Sequence, residues 1–501
     1  MRLSARSNLY AASNRFSGSA FNISCRLTPG TPRPADSGEI NRRRRGSLMN
    51  RGIILAMKSG ARIFVIGQLA AFAAWAVCAA LGIAGQRKLF YEEGQEEMYD
   101  FWMPRMCVEQ GYAQMKSSDC GIDLKSDGVR ANKHAVGEFV EFSGWYRTKD
   151  GLKFVTGDMD KVYPALALLP YMPFPATRTG AWWFSGLCAV VFLATIILIS
   201  RSQAARHGVR ALPLGGAAPY FILLSMPFMF ALERGNPVWI SAAAVGVFLA
   251  WWDDERDWKR CVAAICLAVA AVLKIAPAAL GLLYLLGRRD LGVVGRARIP
   301  CRAAFGGRTR EIVIAVVAAA ILFFVPWLFL KEGFAALPIM IGNAAHHADF
   351  VLRTSDFGFV QVWRTARVAL GLDVQSPWTG MYPVARLSQL FGLVALIVGA
   401  GRRDYLLLVG GMLLAAGNMY YYGALYLLPV FVLEIGECFQ AARPESAPYP
   451  VRRILWFVIL CPLQIVVLGH SGNAVLANLA MMTLMILHAG TAFSRKLECQ
   501  C

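Results

Sequence analysis

Apolar runs of about 20 residues recur along almost the whole chain, and they constrain its fold more tightly than any other feature. "RIFVIGQLAAFAAWAVCAALGIAG" (62–85) and "AWWFSGLCAVVFLATIILIS" (181–200) are two of them. A bilayer core about 30 Å thick takes about 20 helical residues to cross. Backbone amides inside hydrocarbon must pair within their own segment, so runs of this length read as helices and not as barrel strands. The 501 residues are 56% hydrophobic and include 13 Trp and 29 Phe, with a mean hydropathy of +0.46. Soluble domains carry less. The expected fold class is all-α integral membrane: a polytopic helical bundle of about 12 transmembrane helices.

A net charge of +19 on a soluble face would suggest nucleic acid. Here the basic residues gather in short connectors, "RSQAARHGVR" (201–210), "GRRDLGVVGRARIPCRAAFGGRTR" (287–310), "GRRD" (401–404) and "VRR" (451–453). That is the positive-inside pattern, so these charges set orientation and solvate loops; contact with anionic lipid is the second reading. No nucleic-acid partner is expected.

Residues 1–60 contain "NRRRRG" (41–46) and no apolar core of signal length. They are expected as a disordered, basic, cytoplasmic segment, with Met49 and Met57 as alternative starts. The polytopic domain then covers 61–495, with 496–501 as a short cytoplasmic tail. Both termini are expected inside, the expected location is the cytoplasmic (inner) membrane, and two larger loops, about 87–161 and 331–384, are expected to face outward. Within the first, "KVYPALALLPYMPFP" (161–175) is too broken by proline to span and is expected as a helix lying at the interface. Further spans are expected at 212–232, 237–252, 311–330, 386–400, 405–418, 421–437, 454–470 and 475–493. Residues 260–287 carry inside-type charge at both ends and include Lys274 and Pro277, so two short helices broken near "KIAP" are expected there.

Twelve cysteines show no CxxC or Cys/His metal spacing. Cys107 and Cys120 fall in an outer loop, where a bridge is chemically permitted. No phosphate-cradling glycine loop follows a strand pattern, and no internal repeat is visible. Trp182, Trp183, Trp251, Trp252 and Trp327 read as interfacial belt residues rather than sugar-stacking platforms.

Ionisable residues inside a membrane are costly, and those retained usually have a partner or a task. "ALERGNPVW" (231–239) places Glu233, Arg234 and Asn236 where two apolar runs meet. Arg234 can grip phosphate oxygens bidentately, and Lys274 can act with it as a point charge. The competing readings are a snorkelling lysine, a Glu233 that pairs with Arg234, and an Asn236 that caps the returning helix. Asp100 in "MYDFWMPRM" sits among aromatic residues, which suits a general base; a loop or capping aspartate is the alternative. In "GNAAHHADFVLRTSDFGFVQ" (342–361), His346, His347 and Arg353 are candidates for binding a polar or anionic substrate. Adjacent histidines diverge on a helix and no third lies near, so no metal site is expected.

These residues assemble into a resemblance. "VYPALALLPYMPFP", with Tyr163, then "FALERGNPVWISAAAVGVFLA" and "AAVLKIAPAALGLLYLLGRRD", resemble the core motifs of glycosyltransferase family 87, and "YDFWMPRMCVEQG" resembles the element that precedes them. The similarity covers roughly 60–440. It implies a GT-C type enzyme that transfers a hexosyl unit, typically mannosyl, from a polyprenyl-phosphate-sugar to a lipid or glycan acceptor at the outer face, with inversion. By that resemblance Asp100 is catalytic, Arg234 and Lys274 bind donor phosphate, and Glu233, Asn236, Tyr163, His346, His347 and Arg353 support. No cofactor is implied, and dependence on a divalent metal is left open. Departures are Trp102 and Met103 where a tyrosine is common, Ile275-Ala276 before Pro277, and a longer insertion at 115–160. A transporter or flippase of a lipid-linked saccharide is the runner-up, and a structural membrane subunit the third reading; a transporter should show paired broken helices, and one broken segment is evident.

Overall fold

A computed structural model describes residues 63–78, 80–81, 98–122, 135–136, 139–140, 143–206, 218–286, 308–354, 358–371, 381–416, 421–440, 449–462, 466–467 and 470–498. The chain divides into Met1–Ile54 and Leu55–Cys501. The first unit, and so almost all of the segment expected as disordered, lies outside the described residues, as do connectors 207–217 and 287–307.

Most of the described residues of the second unit are helical. Among the described residues, three helices are long and apolar enough to cross a bilayer, Arg178–Ala204, Thr309–Phe329 and Pro383–Arg402. Shorter apolar helices accompany them: Ile63–Cys78, Val238–Trp251, Ala276–Leu286, Tyr405–Ala416, Tyr422–Glu434 and Val475–Gly490. Many apolar side chains on the long helices point outward, among them Val316, Ile321, Leu390 and Val394. In water such surfaces would be a liability; in lipid they are the solvent-facing side.

Helix α1 (Ile63–Cys78) is followed by α2 (Tyr99–Gln110), the two-residue strands β1 (Ala135–Val136) and β2 (Phe139–Val140), the hairpin β3 (Gly144–Thr148) and β4 (Gly151–Val155), and α3 (Ala165–Leu168). Next come α4 (Arg178–Arg206), α5 (Ala218–Leu223), α6 (Met226–Arg234), α7 (Val238–Trp251), α8 (Asp257–Leu273) and α9 (Leu282–Leu286). Helix α7 is hydrophobic on every side and buried nearly throughout, as a central helix must be. It packs between α4 and α8.

The remainder comprises α10 (Thr309–Phe324), α11 (Ala336–Thr354), α12 (Gly358–Ala369), α13 (Met381–Arg402), α14 (Tyr405–Ala416), α15 (Leu427–Gln440), α16 (Tyr449–Leu460) and α17 (Gly472–Glu498). Helices α13 and α14 approach backbone to backbone. A Cβ on Gly411 would lie 2.5 Å from the Leu396 nitrogen and 2.7 Å from the Gly392 oxygen. Without a hydrophobic drive between helices in lipid, such small-residue contacts carry much of the association.

The break near "KIAP" is present. Helix α8 ends at Leu273, Lys274 is extended (φ −147, ψ 118), and a 3-10 stretch, Ala276–Gly281, carries Pro277 in its first turn. Proline lacks the N–H that an uninterrupted helix would use and constrains the residue before it. Proline also accounts for two departures from expectation. The run 212–232 is not one helix in its described part, because α5 and α6 are parted at Leu224 and Ser225 just before Pro227, with Ser225 Oγ donating to the Ile222 carbonyl at 2.7 Å. The run 454–470 stops as helix at Leu460, before Pro462, and a short ladder pairs Val466–Val467 with His470–Ser471.

"KVYPALALLPYMPFP" is not one continuous helix. It forms α3 and a 3-10 turn, Leu169–Tyr171, with Ala165, Leu168 and Tyr171 wholly buried against α2 and α8. The tryptophans expected in a belt divide in two. Trp183 is 71% exposed, whereas Trp251, Trp252 and Trp327 are buried. Two of the buried indoles have N–H partners inside: Trp251 donates to Ser202 Oγ at 3.2 Å and Trp252 to the Tyr405 hydroxyl at 3.1 Å. Cys107 and Cys120 are separate thiols. Burial pushes the Cys107 thiol up to about 12, so it is held protonated.

Candidate functional site

The "ERGN" turn between α6 and α7 is the anchor of the site. Gly235 takes φ +65, and a Cβ there would come within 2.9 Å of Phe101 Cβ and 3.3 Å of Ser185 Oγ. Both the left-handed backbone and the close approach of α2 therefore require glycine. Asn236 Oδ1 accepts from the N–H of Val238, the first residue of α7, at 2.9 Å, while the N-cap position itself is Pro237. The buried Glu233 accepts from the Met98 N–H through its carbonyl at 2.8 Å, while the Tyr171 hydroxyl donates to the Gly235 carbonyl at 3.2 Å.

These contacts dock the start of α2 on the turn. Met98, which precedes the helix, is itself left-handed at φ 53, a conformation that costs a non-glycine residue roughly 1–2 kcal/mol. The surrounding bonds hold it there, and α2 leaves at the angle that turns Asp100 toward Arg234.

Arg234 donates from Nε to Asp100 Oδ2 at 2.9 Å and from Nη2 to Oδ1 at 3.1 Å. The pair is sheltered, with 17% of the arginine side chain and 5% of the aspartate side chain exposed. The Arg234 guanidinium also stands 5.0 Å from the centroid of the Tyr99 ring, a cation–π distance.

Lys274, at the break after α8, completes the cluster. Its Nζ is 4.9 Å from the Tyr163 ring centroid and 6.0 Å from that of Tyr422. It lies close enough to Asp100 to feel the carboxylate's charge, yet it forms no ion pair among the described residues. The break places it there: an unbroken helix would have carried the side chain on with the next turn.

A second carboxylate borders the group. Asp160 Oδ2 accepts from the Ser143 N–H at 2.8 Å, and the Ser143 carbonyl accepts from the Tyr99 hydroxyl at 2.9 Å. His347 Nδ1 on α11 lies 4.0 Å from Asp160 Oδ1. Burial pushes the Asp160 carboxyl above its ordinary range, against the pull of the Ser143 hydrogen bonds and His347. His346 is exposed. Arg353 lies on α11, but its side chain is outside the described residues.

The structure thus gathers Asp100, Arg234, Lys274, Tyr163 and, through Asp160, His347. Asp160, Ser143 and Tyr422 are functional candidates that sequence reasoning passed over. Tyr422 had a signal, the tyrosine run in "NMYYYGALY" (418–426) at the head of an apolar helix. Asp160 in "TGDMDKVYP" had none beyond its nearness to Tyr163.

Among the described residues, the group with metal-ligating atoms in mutual reach is Asp404, Glu434 and His488. It lies at the other end of α7, about 20 Å away at 1.5 Å per residue, next to Tyr405 and the Trp252 that follows that helix. His488 Nδ1 lies 2.8 Å from Asp404 Oδ2. Asp253 there also accepts from Arg308, and from Arg403 at 2.7 Å.

A family model, that of glycosyltransferase family 87, matches residues 162–419. The chain belongs to that family. Family 87 membership and the apolar helices together make it a membrane glycosyltransferase, with a sugar donor and an acceptor as its substrates. The matched segment contains Tyr163, Glu233, Arg234, Asn236, Lys274, His346, His347 and Arg353, and begins after Asp100. No curated protein and no solved structure matches the chain.

Proposed function

We propose that the enzyme transfers a hexosyl unit, most consistently mannosyl, from a polyprenyl-phosphate-sugar to a lipid or glycan acceptor at the outer face of the cytoplasmic membrane, with inversion. The observation that carries this is Lys274, a cation cradled by two tyrosine rings, without an ion pair among the described residues and beside the Asp100–Arg234 pair. An anionic donor phosphate supplies the missing partner. The outward assignment rests on the basic connectors, two of whose described arginines, Arg308 and Arg403, gather around Asp253 at the far end of α7.

The lipid phosphate sits between Lys274 and Arg234. Binding draws the Arg234 guanidinium off Asp100 and onto the phosphate, which it suits equally well as a bidentate partner. Both Asp100 oxygens are thereby uncovered. The acceptor hydroxyl oxygen then attacks the anomeric carbon from the face opposite the phosphate, its proton passes to Asp100, and the carbon–oxygen bond to the phosphate breaks. The electron pair leaves with the lipid phosphate, whose growing charge falls on the two cations. Preorganised charge of this kind contributes several kcal/mol. Tyr163 positions Lys274, and the Asp160–His347 pair borders the acceptor side.

The test is transfer of labelled sugar from polyprenyl-phosphate-mannose in membranes containing the intact protein or Asp100→Asn. Label transferred by the first and not by the second supports the reading. Absence of transfer with mannose, glucose and arabinose donors, from folded protein, overturns it; movement of a lipid-linked saccharide across the membrane without transfer would instead establish a flippase.

A further inference from the structure

Helix α2 has a second working face. At about 100° per residue, Trp102 lies some 200° around the helix from Asp100, so it points away from the Arg234 pair. There it meets Trp145 of β3 at 5.4 Å between ring centroids and Phe154 of β4 at 6.4 Å. Trp145 and Phe154 are directly opposed across the hairpin, edge to face at 5.6 Å. Between this aromatic floor, the C-terminal half of α2 and the start of α4 opens a cleft of about 710 Å3, within the size range of small-molecule sites.

We propose that this cleft is an accessory binding site for a neutral oligosaccharide, holding the glycan part of an acceptor beside the transfer site; the assignment rests on the glycosyl-transfer reading above. Sugars offer apolar C–H faces and hydroxyls that both donate and accept. The cleft offers indole and phenyl rings below and hydrogen-bonding groups of both kinds at the rim. Glu109 gives one carboxylate oxygen to Arg105 at 2.9 Å, and the other has no partner among the described residues. Gln110 accepts from the Thr156 N–H at 3.1 Å through its carboxamide oxygen, which leaves its NH2 group as a donor.

Charge argues for a neutral ligand. Three carboxylates line the cleft against one lysine and one arginine, and Lys153 is already held by Asp150 at 2.6 Å. With Asp150 on Lys153 and Arg105 on Glu109, carboxylates and cations balance around the cleft, which leaves no net charge to draw in an ionic headgroup. The hairpin precedes the residues matched by the family model, whereas Ala176, Thr177 and Arg178 fall within them, so the cleft joins a segment outside the matched core to the core itself. Ten residues of α2 separate Asp100 from Gln110, about 15 Å, a span of a few sugar rings.

Full-length protein in detergent is titrated with neutral tetrasaccharides built of mannose, glucose, galactose or arabinose, and binding is followed by tryptophan fluorescence and calorimetry. Saturable binding of at least one, weakened about tenfold or more by Trp145→Ala, supports the site. Glu109→Lys on the exposed rim carries the same expectation if Trp145→Ala does not fold. Lys274→Gln should leave binding unchanged, which separates this site from the transfer site and its failure from failure of the transfer reading. No saturable binding by folded protein, binding indifferent to the folded cleft variants, or binding lost with Lys274→Gln overturns the proposal.

Discussion

Arg234 and Asp100, 134 residues apart in sequence, meet through two parallel hydrogen bonds of 2.9 and 3.1 Å. Removing either partner leaves the other charge sheltered and uncompensated, at a cost of about 2–4 kcal/mol. Asp100→Asn and Arg234→Gln are therefore each expected to lower both transfer, by about a hundredfold or more, and the melting temperature. The double variant should recover part of the stability and none of the activity. Thermal unfolding of all four proteins, read as a double-mutant cycle, checks the coupling; additive losses would refute it.

Two buried or half-buried lysines should respond in opposite ways. Lys274 has no ion pair among the described residues, so Lys274→Gln is expected to leave the melting temperature within a degree or two while transfer falls about a hundredfold. Lys161 is fully buried, donates to the Ala113 carbonyl at 2.6 Å and pairs with Asp158 at 3.3 Å. Lys161→Met leaves those acceptors without their cation and should cost about 2–3 kcal/mol. Unfolding curves alone distinguish the two.

Gly235→Ala adds a Cβ to a left-handed residue already touching α2. Backbone strain of about 1 kcal/mol or more and the 2.9 Å approach to Phe101 Cβ act together. Loss of about 2–4 kcal/mol and a displaced α2 are expected, so transfer should fall along with stability. A variant with unaltered melting temperature and turnover would remove the turn from its anchoring role.

The Glu332 carboxylate bridges two distant segments by accepting from the Tyr112 N–H at 2.7 Å and the Ala113 N–H at 3.1 Å. Glu332→Ala frees both amides. Hydrogen exchange at Tyr112 and Ala113 should rise by about tenfold or more, as loss of about 1–3 kcal/mol of local protection implies, while exchange in α7 stays unchanged.

Asp160 makes stability depend on pH. Burial favours its protonated form in the folded state, so its contribution is fully present below the ordinary carboxylate range, about pH 4. It is lost as the pH rises through the raised folded value. Asp160→Asn is neutral throughout. The melting temperature of the variant should match that of the parent near pH 4 and exceed it increasingly toward pH 7.

The solvent, the fold class and the break after Leu273 were already legible in the amino-acid order. Apolar runs of about 20 residues read as helices in lipid, because no water is present to satisfy an open backbone, and Pro277 cannot continue the helix that ends at Leu273. The glycine of "ERGN" and the motifs around it were legible in the same way, since each encodes a local backbone state. The partner of Arg234 was not legible, because Glu233 is its neighbour in sequence and Asp100 is 134 residues away. That choice follows from where α2 docks, which depends on Met98, Tyr171 and Ser185 packing around Gly235 at once. Burial of Trp252 and Trp327 was hidden for the same reason: an indole beside a helix end looks the same in sequence whether it faces lipid headgroups or another helix. Local chemistry is written residue by residue, whereas contacts between distant segments exist only once the whole bundle has packed.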